Sequence, residues 1–302
     1  MKFTLAIPLG NIAQGEFQSF AAIKEMSEAL ESAGVDACYV TDHPAPEAKW
    51  LHANGHDALD PFTALAFVAA ASSTLKLHTN ILVMAYRNPF ITAKAAATLQ
   101  VLSNGRLILG CGAGYQKAEF DALGVDFSKR GKLFDEALDV MKMAWKCGAV
   151  VHEGMNFNAI GNEPRPVPDP EPVIWIGGGS DKAIERAAFR GDGWSPFFVA
   201  PTLSKLNRDT GIATVEQLNA KIAQYRELRA VAGKEGPSDV IIGPKVRLET
   251  GKRESAEDFL DAIDELEEAG VTWAMVDLPH KNRAEYLEAV QWFGEEVIRK
   301  AI

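Results

Sequence analysis

Short β-rich apolar runs alternate with longer amphipathic runs along the whole chain. Phe3-Thr-Leu-Ala-Ile-Pro8 predicts a first strand. Residues 17–33 predict a helix, with Phe20, Ile23, Met26 and Leu30 on one face at spacings of three and four, and Gly34 as its stop. The rhythm then repeats. Strands are predicted at 37–41, 75–84, 106–112, 173–176, 193–198, 239–248 and 271–278. Helices are predicted from Asp60-Pro61, from Asn88-Pro89 to about 104, and at 130–146, 181–190, 215–232, 256–269 and 283–300. Residues 150–157 read as a small inserted hairpin. Prolines 164, 166, 168, 170 and 172 read as an extended connector, because proline blocks both helix and central strand. About eight strand–helix units without a linker imply one parallel sheet, and at this length a single closed (β/α)8 barrel with insertions spanning residues 1–302. The competing architecture is a two-lobed, doubly wound open sheet.

A barrel directs the search for chemistry to the C-terminal ends of its strands. There the sequence offers Thr41-Asp42-His43, whose imidazole exchanges protons near neutral pH. It also offers Thr79-Asn80-Ile81, where a bulge would present backbone to a ligand. Gly110-Cys-Gly-Ala-Gly114 closes the fourth strand. Its spacing is not the GxGxxG dinucleotide fingerprint, but it suits either a tight turn or a backbone wall against a flat ligand. Gly177-Gly178-Gly179-Ser180 runs from a strand into a helix. The amides of Gly178 and Gly179, with Ser180 as N-cap and Lys182 and Arg186 nearby, are read as a phosphate site.

The other histidines change little. His52 and His56 are four apart, but Asn54 and Gly55 between them oppose a helix, so no metal pair is expected. His78 reads as structural, and His280 follows the eighth strand at the mouth. Cys38, Cys111 and Cys147 form no CxxC pair and read as reduced thiols of a cytoplasmic protein. Basic and acidic side chains number 31 and 41, a net charge of −10, with no basic run to track nucleic acid. The longest wholly apolar run, residues 64–71, is far short of the ~20 residues a membrane span needs, and no signal peptide is read at the N-terminus. The expected ligands are small molecules, neither nucleic acid nor membrane.

Taken together, these segments resemble the luciferase-like monooxygenase superfamily, most closely its F420-dependent oxidoreductase branch. The carriers are Thr41-Asp42-His43, Asp60-Pro61 to Ala71, Tyr86-Arg87-Asn88-Pro89, Lys94 through Gly114, Glu119-Phe120, Arg130-Gly131, Pro172 to Gly179 and Gly191-Asp-Gly-Trp194. The resemblance implies a bacterial luciferase-like (β/α)8 barrel and a homodimer. It implies coenzyme F420 at the mouth, with FMN as the alternative. Asp42 and His43 would lie beside the ring, with His43 as acid or base. Asn80 and Ile81 would form a bulged, often cis step behind it. Gly112, Ala113 and Gly114 would form a wall, and Gly178, Gly179 and Ser180, continuing from Gly177, would bind the phosphate. One departure stands out. Sugar-phosphate dehydrogenases of this superfamily carry a catalytic Glu where this chain has Tyr115, and Glu119 is displaced from that position by four residues. The expected activity is hydride transfer between F420 and a small organic substrate. The alternatives are an FMN-dependent monooxygenase and a non-catalytic cofactor-binding barrel.

Overall fold

Helix ends and strand parity together explain the architecture. The computed structural model describes residues 1–10, 15–53, 55–199, 211–234 and 238–301. Eleven strands occur among them: β1 (Lys2–Ala6), β2 (Ala37–Val40), β3 (Lys76–Thr79), β4 (Leu82–Val83), β5 (Leu107–Gly112), β6 (Val150–Glu153), β7 (Asn158–Asn162), β8 (Val173–Gly177), β9 (Gly193–Ser195), β10 (Asp239–Ile242) and β11 (Trp273–Val276). The α-helices are α1 (Phe20–Ala33), α2 (Ala48–Ala53), α3 (Pro61–Ala71), α4 (Pro89–Leu102), α5 (Lys117–Ala122), α6 (Arg130–Ala144), α7 (Asp181–Arg190), α8 (Val215–Val231), α9 (Arg253–Glu268) and α10 (Arg283–Phe293). Helix caps follow the sequence. Asp60, Asn88 and Ser180 each accept a first-turn N–H, and Gly34 ends α1 in the left-handed conformation at φ 86°.

Parallel pairing runs β3-β2-β1-β11-β10-β9-β8-β5, and β5 pairs back to β3. That closes an eight-strand parallel barrel wrapped by helices. β4 continues β3 past a cis peptide at Asn80–Ile81 and pairs with β5 through Leu82–Cys111 and Val83–Gly112. The predicted strand 75–84 is therefore two pieces separated by a bulge.

Alternate residues of a strand face opposite sides. One parity packs the outer core: Cys38, Leu107, Leu109, Ile174 and Ile176 lie under the helices with Leu65, Ala96, Leu138 and Ile184. The other parity faces the barrel interior, where Ala37, Ile108, Trp175, Ile241 and Trp273 form a plug. Two residues further along these strands, the same parity brings Tyr39, Met275, Gly110 and Gly177. The barrel is thus filled by indole rings near the strand starts. Near the strand ends it carries glycine on β5 and β8.

Several predicted boundaries shift. The hairpin is β6 with β7, reaching Asn162 rather than ending at 157. β9 and β10 stop at Ser195 and Ile242, short of 198 and 248. The last helix gives way at Gly294 to a π-turn, Gly294–Ile298. Phe20, expected inward, is 49% exposed at the first position of α1 and meets the Phe67 ring edge-on at 6.1 Å. Helices α2 and α5 interrupt segments that read as loops. No described helix is long and apolar enough to cross a membrane.

Candidate active site

The strand ends enclose a cavity of about 370 Å³, lined among others by Ile7, Tyr39, Asn80, Met275, Asp277 and His280. A second cavity of about 470 Å³ shares Tyr39, Met275 and Asp277 with it and extends under the loop after β10. Tyr39 is buried. That burial, reinforced by the Asp277 carboxylate that accepts a hydrogen bond from its O–H, raises its phenol well above the ordinary value. It is a protonated donor in the partition between the cavities.

His43 follows β2 at the rim. Its Nδ1 lies 3.1 Å from Glu119 Oε2 and 3.1 Å from Gln116 Nε2. Both partners come from the turn into α5 and are buried, Glu119 at 2% exposure. The Ala45 N–H donates to Glu119 Oε1 at 3.3 Å, so the carboxylate grips the loop on both sides of Pro44. Trp50, His56 and Tyr115 surround the imidazole, at ring-centroid distances of 4.6, 5.0 and 6.1 Å. His56 and Thr41 line the smaller cavity, whereas His43 lines neither cavity and reaches the smaller one only through its ring contact with His56. Among the described residues His43 Nε2 has no hydrogen-bond partner, yet it is not one of the sealed polar atoms of the interior.

Asp42 points elsewhere. It is 3% exposed, its Oδ2 accepts the Val83 N–H at 2.9 Å, and its Oδ1 accepts Arg87 at 2.6 Å. The carboxylate thereby ties β2 to the chain just beyond the cis step. Both oxygens have a scaffolding occupation, which is what separates Asp42 from His43, since neither lines a mouth cavity.

The glycines divide into two groups. Gly110 and Gly177 make room for protein. A Cβ on Gly110 would meet Thr79 O at 2.1 Å, and one on Gly177 would meet Ile81 Cδ1 at 2.1 Å. Gly114, at φ 82°, would press Val83 Cγ1 and Phe120. Gly112 is less crowded, with Ile81 Cδ1 at 3.5 Å. At the end of β5, Gly112 and Gly114 thus pack against Ile81, Val83 and Phe120, and neither they nor Ala113 and Ile81 line the mouth cavities.

The loop before α7 departs from its sequence reading in one respect. The Gly178 N–H is not free: it donates to Ser195 O at 3.1 Å, while Trp194 Nε1 donates to Gly178 O at 2.8 Å. Gly178 positions the loop instead, at φ 115°. Gly179 is buried, and its N–H and that of Ser180 donate to no acceptor among the described residues. Buried backbone donors are nearly always paired, so the Gly179 amide, with the half-buried Ser180 amide beside it at a helix N-terminus, fits an anionic group such as phosphate. Arg186 is committed to Asp135, at 2.6 Å, and holds α7 to α6.

The remaining candidates are structural. His78 is fully buried, which lowers its pKa to about 3, and its Nδ1 meets Thr4 Oγ1 at 3.3 Å. Burial pushes the Cys38 thiol up to about 12 and raises Cys111 further, the Asp42 charge adding to the effect, so neither is a nucleophile. His152 meets Glu136 in the hairpin at 3.3 Å. Among the described residues no group of three or more His, Cys, Asp or Glu is placed to hold a metal.

The closed parallel barrel carries an imidazole backed by a buried carboxylate at the C-terminal ends of its strands. The family model of luciferase-like monooxygenases matches residues 1–297, and the chain belongs to that family and is an oxidoreductase. An uncharacterized protein of Mycobacterium tuberculosis is 26% identical over 276 residues, covering 91% of this chain and 85% of that protein. The F420-dependent glucose-6-phosphate dehydrogenase of Kineococcus radiotolerans is 31% identical over 192 residues, covering 62% of this chain and 56% of that protein. Among solved structures, the monooxygenase RslO1 from Streptomyces bottropensis shares the fold, with a TM-score of 0.76 at 20% identity and full coverage of both chains.

Proposed function

We propose that this protein is an F420-dependent oxidoreductase, transferring hydride between the deazaflavin and a small organic substrate at the barrel mouth. The observation that carries this reading is the histidine backed by a sealed carboxylate: His43 Nδ1 is 3.1 Å from Glu119, and Nε2 has no hydrogen-bond partner among the described residues. Hydride delivered to a carbonyl carbon leaves an oxyanion that needs a proton, and the reverse oxidation must release one. A side chain that holds a proton beside the reacting carbon serves both directions. The deazaflavin, when bound, supplies the two-electron hydride chemistry. The chain contributes the rest. The amides of Gly179 and Ser180, without an acceptor among the described residues, suit the cofactor's phosphate. Ile81 and the Gly112–Gly114 stretch at the end of β5 are the residues offered for its ring, and Trp50, His56 and Tyr115 pack around His43.

Kinship with the Kineococcus dehydrogenase supports F420 over FMN. Tyr115 argues against carrying over that relative's sugar phosphate. Equilibrium titration with F420 and with FMN, read by absorbance of the bound cofactor, tests the reading. F420 is expected to bind at least about tenfold tighter, ~1.4 kcal/mol. Tighter FMN binding with oxygen consumption would replace the proposal with an FMN-dependent monooxygenase. An F420-loaded protein that reduces no carbonyl and oxidises no alcohol would leave only a cofactor-binding barrel.

A further inference from the structure

We infer that Glu119 is a positioning residue that fixes the tautomer of His43, holding the ring proton on Nδ1 so that Nε2 presents its lone pair to the substrate. This rests on the assignment of His43 as the proton-handling group. The two contacts to Nδ1 make opposite demands. Gln116 Nε2, an N–H donor 3.1 Å away, requires an unprotonated Nδ1. The Glu119 carboxylate, an acceptor at the same distance, requires Nδ1–H. A hydrogen bond to an ionised carboxylate is roughly twice as strong as a neutral one, so Glu119 wins the competition.

Charge bookkeeping among the described residues agrees. Glu119 is 2% exposed, and its only hydrogen-bond partners are the His43 ring, at 3.1 Å, and the Ala45 N–H, at 3.3 Å. The neighbouring cation, Arg87, is committed to Asp42. A carboxylate sealed this deeply needs a strong donor, and among the described residues the imidazole N–H is the strongest within reach. With Nδ1 occupied, proton exchange is confined to Nε2. In the oxidative direction Nε2 would take the substrate's hydroxyl proton while the carbon bearing that hydroxyl gives hydride to the deazaflavin of the proposed reaction, and the C–O bond becomes a carbonyl. In the reductive direction the imidazolium returns that proton from Nε2, and the Nδ1 proton stays between ring and carboxylate throughout.

The test is the 15N spectrum of the imidazole rings in protein without added cofactor, at a pH where the ring is neutral, with His43 assigned by its loss in His43→Ala. The expected wild-type pattern is a protonated Nδ1 and a bare Nε2. Glu119→Gln removes the charged acceptor, and the pattern should reverse as the Gln116 donor takes Nδ1. In the loaded enzyme, Glu119→Gln should lower kcat by about 10²–10⁴, with KM and cofactor affinity within about threefold. Glu119→Asp should recover part of the loss. A wild-type ring protonated on Nε2, whether Gln116 or a protonated Glu119 donates to Nδ1, overturns the inference. That spectrum needs no folded Glu119 variant. It also needs no cofactor, so a protein with the expected tautomer that fails to turn over F420 would sink the proposed reaction and leave the Glu119 assignment standing.

Discussion

Replacing Asp42 separates two roles that its position at a strand end makes equally plausible, cofactor contact and scaffold. Asp42→Ala removes the acceptor of the Val83 N–H and the partner of Arg87, 2.9 and 2.6 Å away. Breaking a fully buried ion pair costs about 3–5 kcal/mol. The Arg87 side chain is 21% exposed, so water recovers part of that and the lower end applies. The orphaned N–H adds about 1 kcal/mol or more. The expected total is about 4 kcal/mol. Unfolding entropy near 2.1 cal/mol/K per residue gives about 0.6 kcal/mol/K for 302 residues, so the melting temperature should fall by about 6 °C. Asp42→Asn keeps an acceptor for Val83 and loses only the charge, so it should cost about half as much. Scanning calorimetry reads the melting temperature, and cofactor titration at a temperature where each variant is folded reads the site. A melting temperature unchanged within about 1 °C, together with lost cofactor binding, would refute the scaffold argument and give Asp42 to the ligand.

Two other substitutions test the packing around the mouth. Gly177→Ala places a methyl 2.1 Å from Ile81 Cδ1. It should cost about 1–3 kcal/mol of overpacking and weaken cofactor binding, seen together by denaturant unfolding and titration; a variant unchanged in both would show that Ile81 yields freely. His78 is held near a pKa of about 3, against 6.5 for an ordinary imidazole. Between those values the unfolded chain binds a proton that the folded chain does not. Stability from this group is therefore lost as pH falls, at about 1.4 kcal/mol per pH unit. Urea unfolding from pH 6.5 to 4 should show a slope shallower by about one proton in His78→Gln, and equal slopes would contradict the burial argument.

The parts of this fold that depend on local pattern were legible in the sequence. Leu133, Ala137, Val140, Met141 and Ala144 are the buried face of α6, as their spacing implies, and the caps at Gly34, Asp60, Asn88 and Ser180 lie where their chemistry puts them. The strand–helix count led to a barrel because each unit announces itself within about 30 residues. What escaped depends on contacts between distant segments. Glu119 reaches His43 across 76 positions from a short helix hidden in a polar stretch. In the sequence it stood only as a carrier of the family resemblance beside Phe120 and as a Glu four residues past Tyr115, with nothing to tie it to His43. Gly178 looked like an open amide, and Ser195, on the next strand, takes it. The glycines of β5 and β8 announce freedom of backbone, but not that the Ile81 and Thr79 neighbours need the space.

The central claim is that His43 moves a proton beside the hydride site without holding the cofactor, and His43→Ala measures it most directly. Titration with F420 followed by steady-state turnover of the same sample should give an affinity within about threefold of wild type and a kcat lower by about 10²–10⁴. Wild-type turnover in that variant would remove His43 from the chemistry. Loss of F420 binding would make it a cofactor ligand instead.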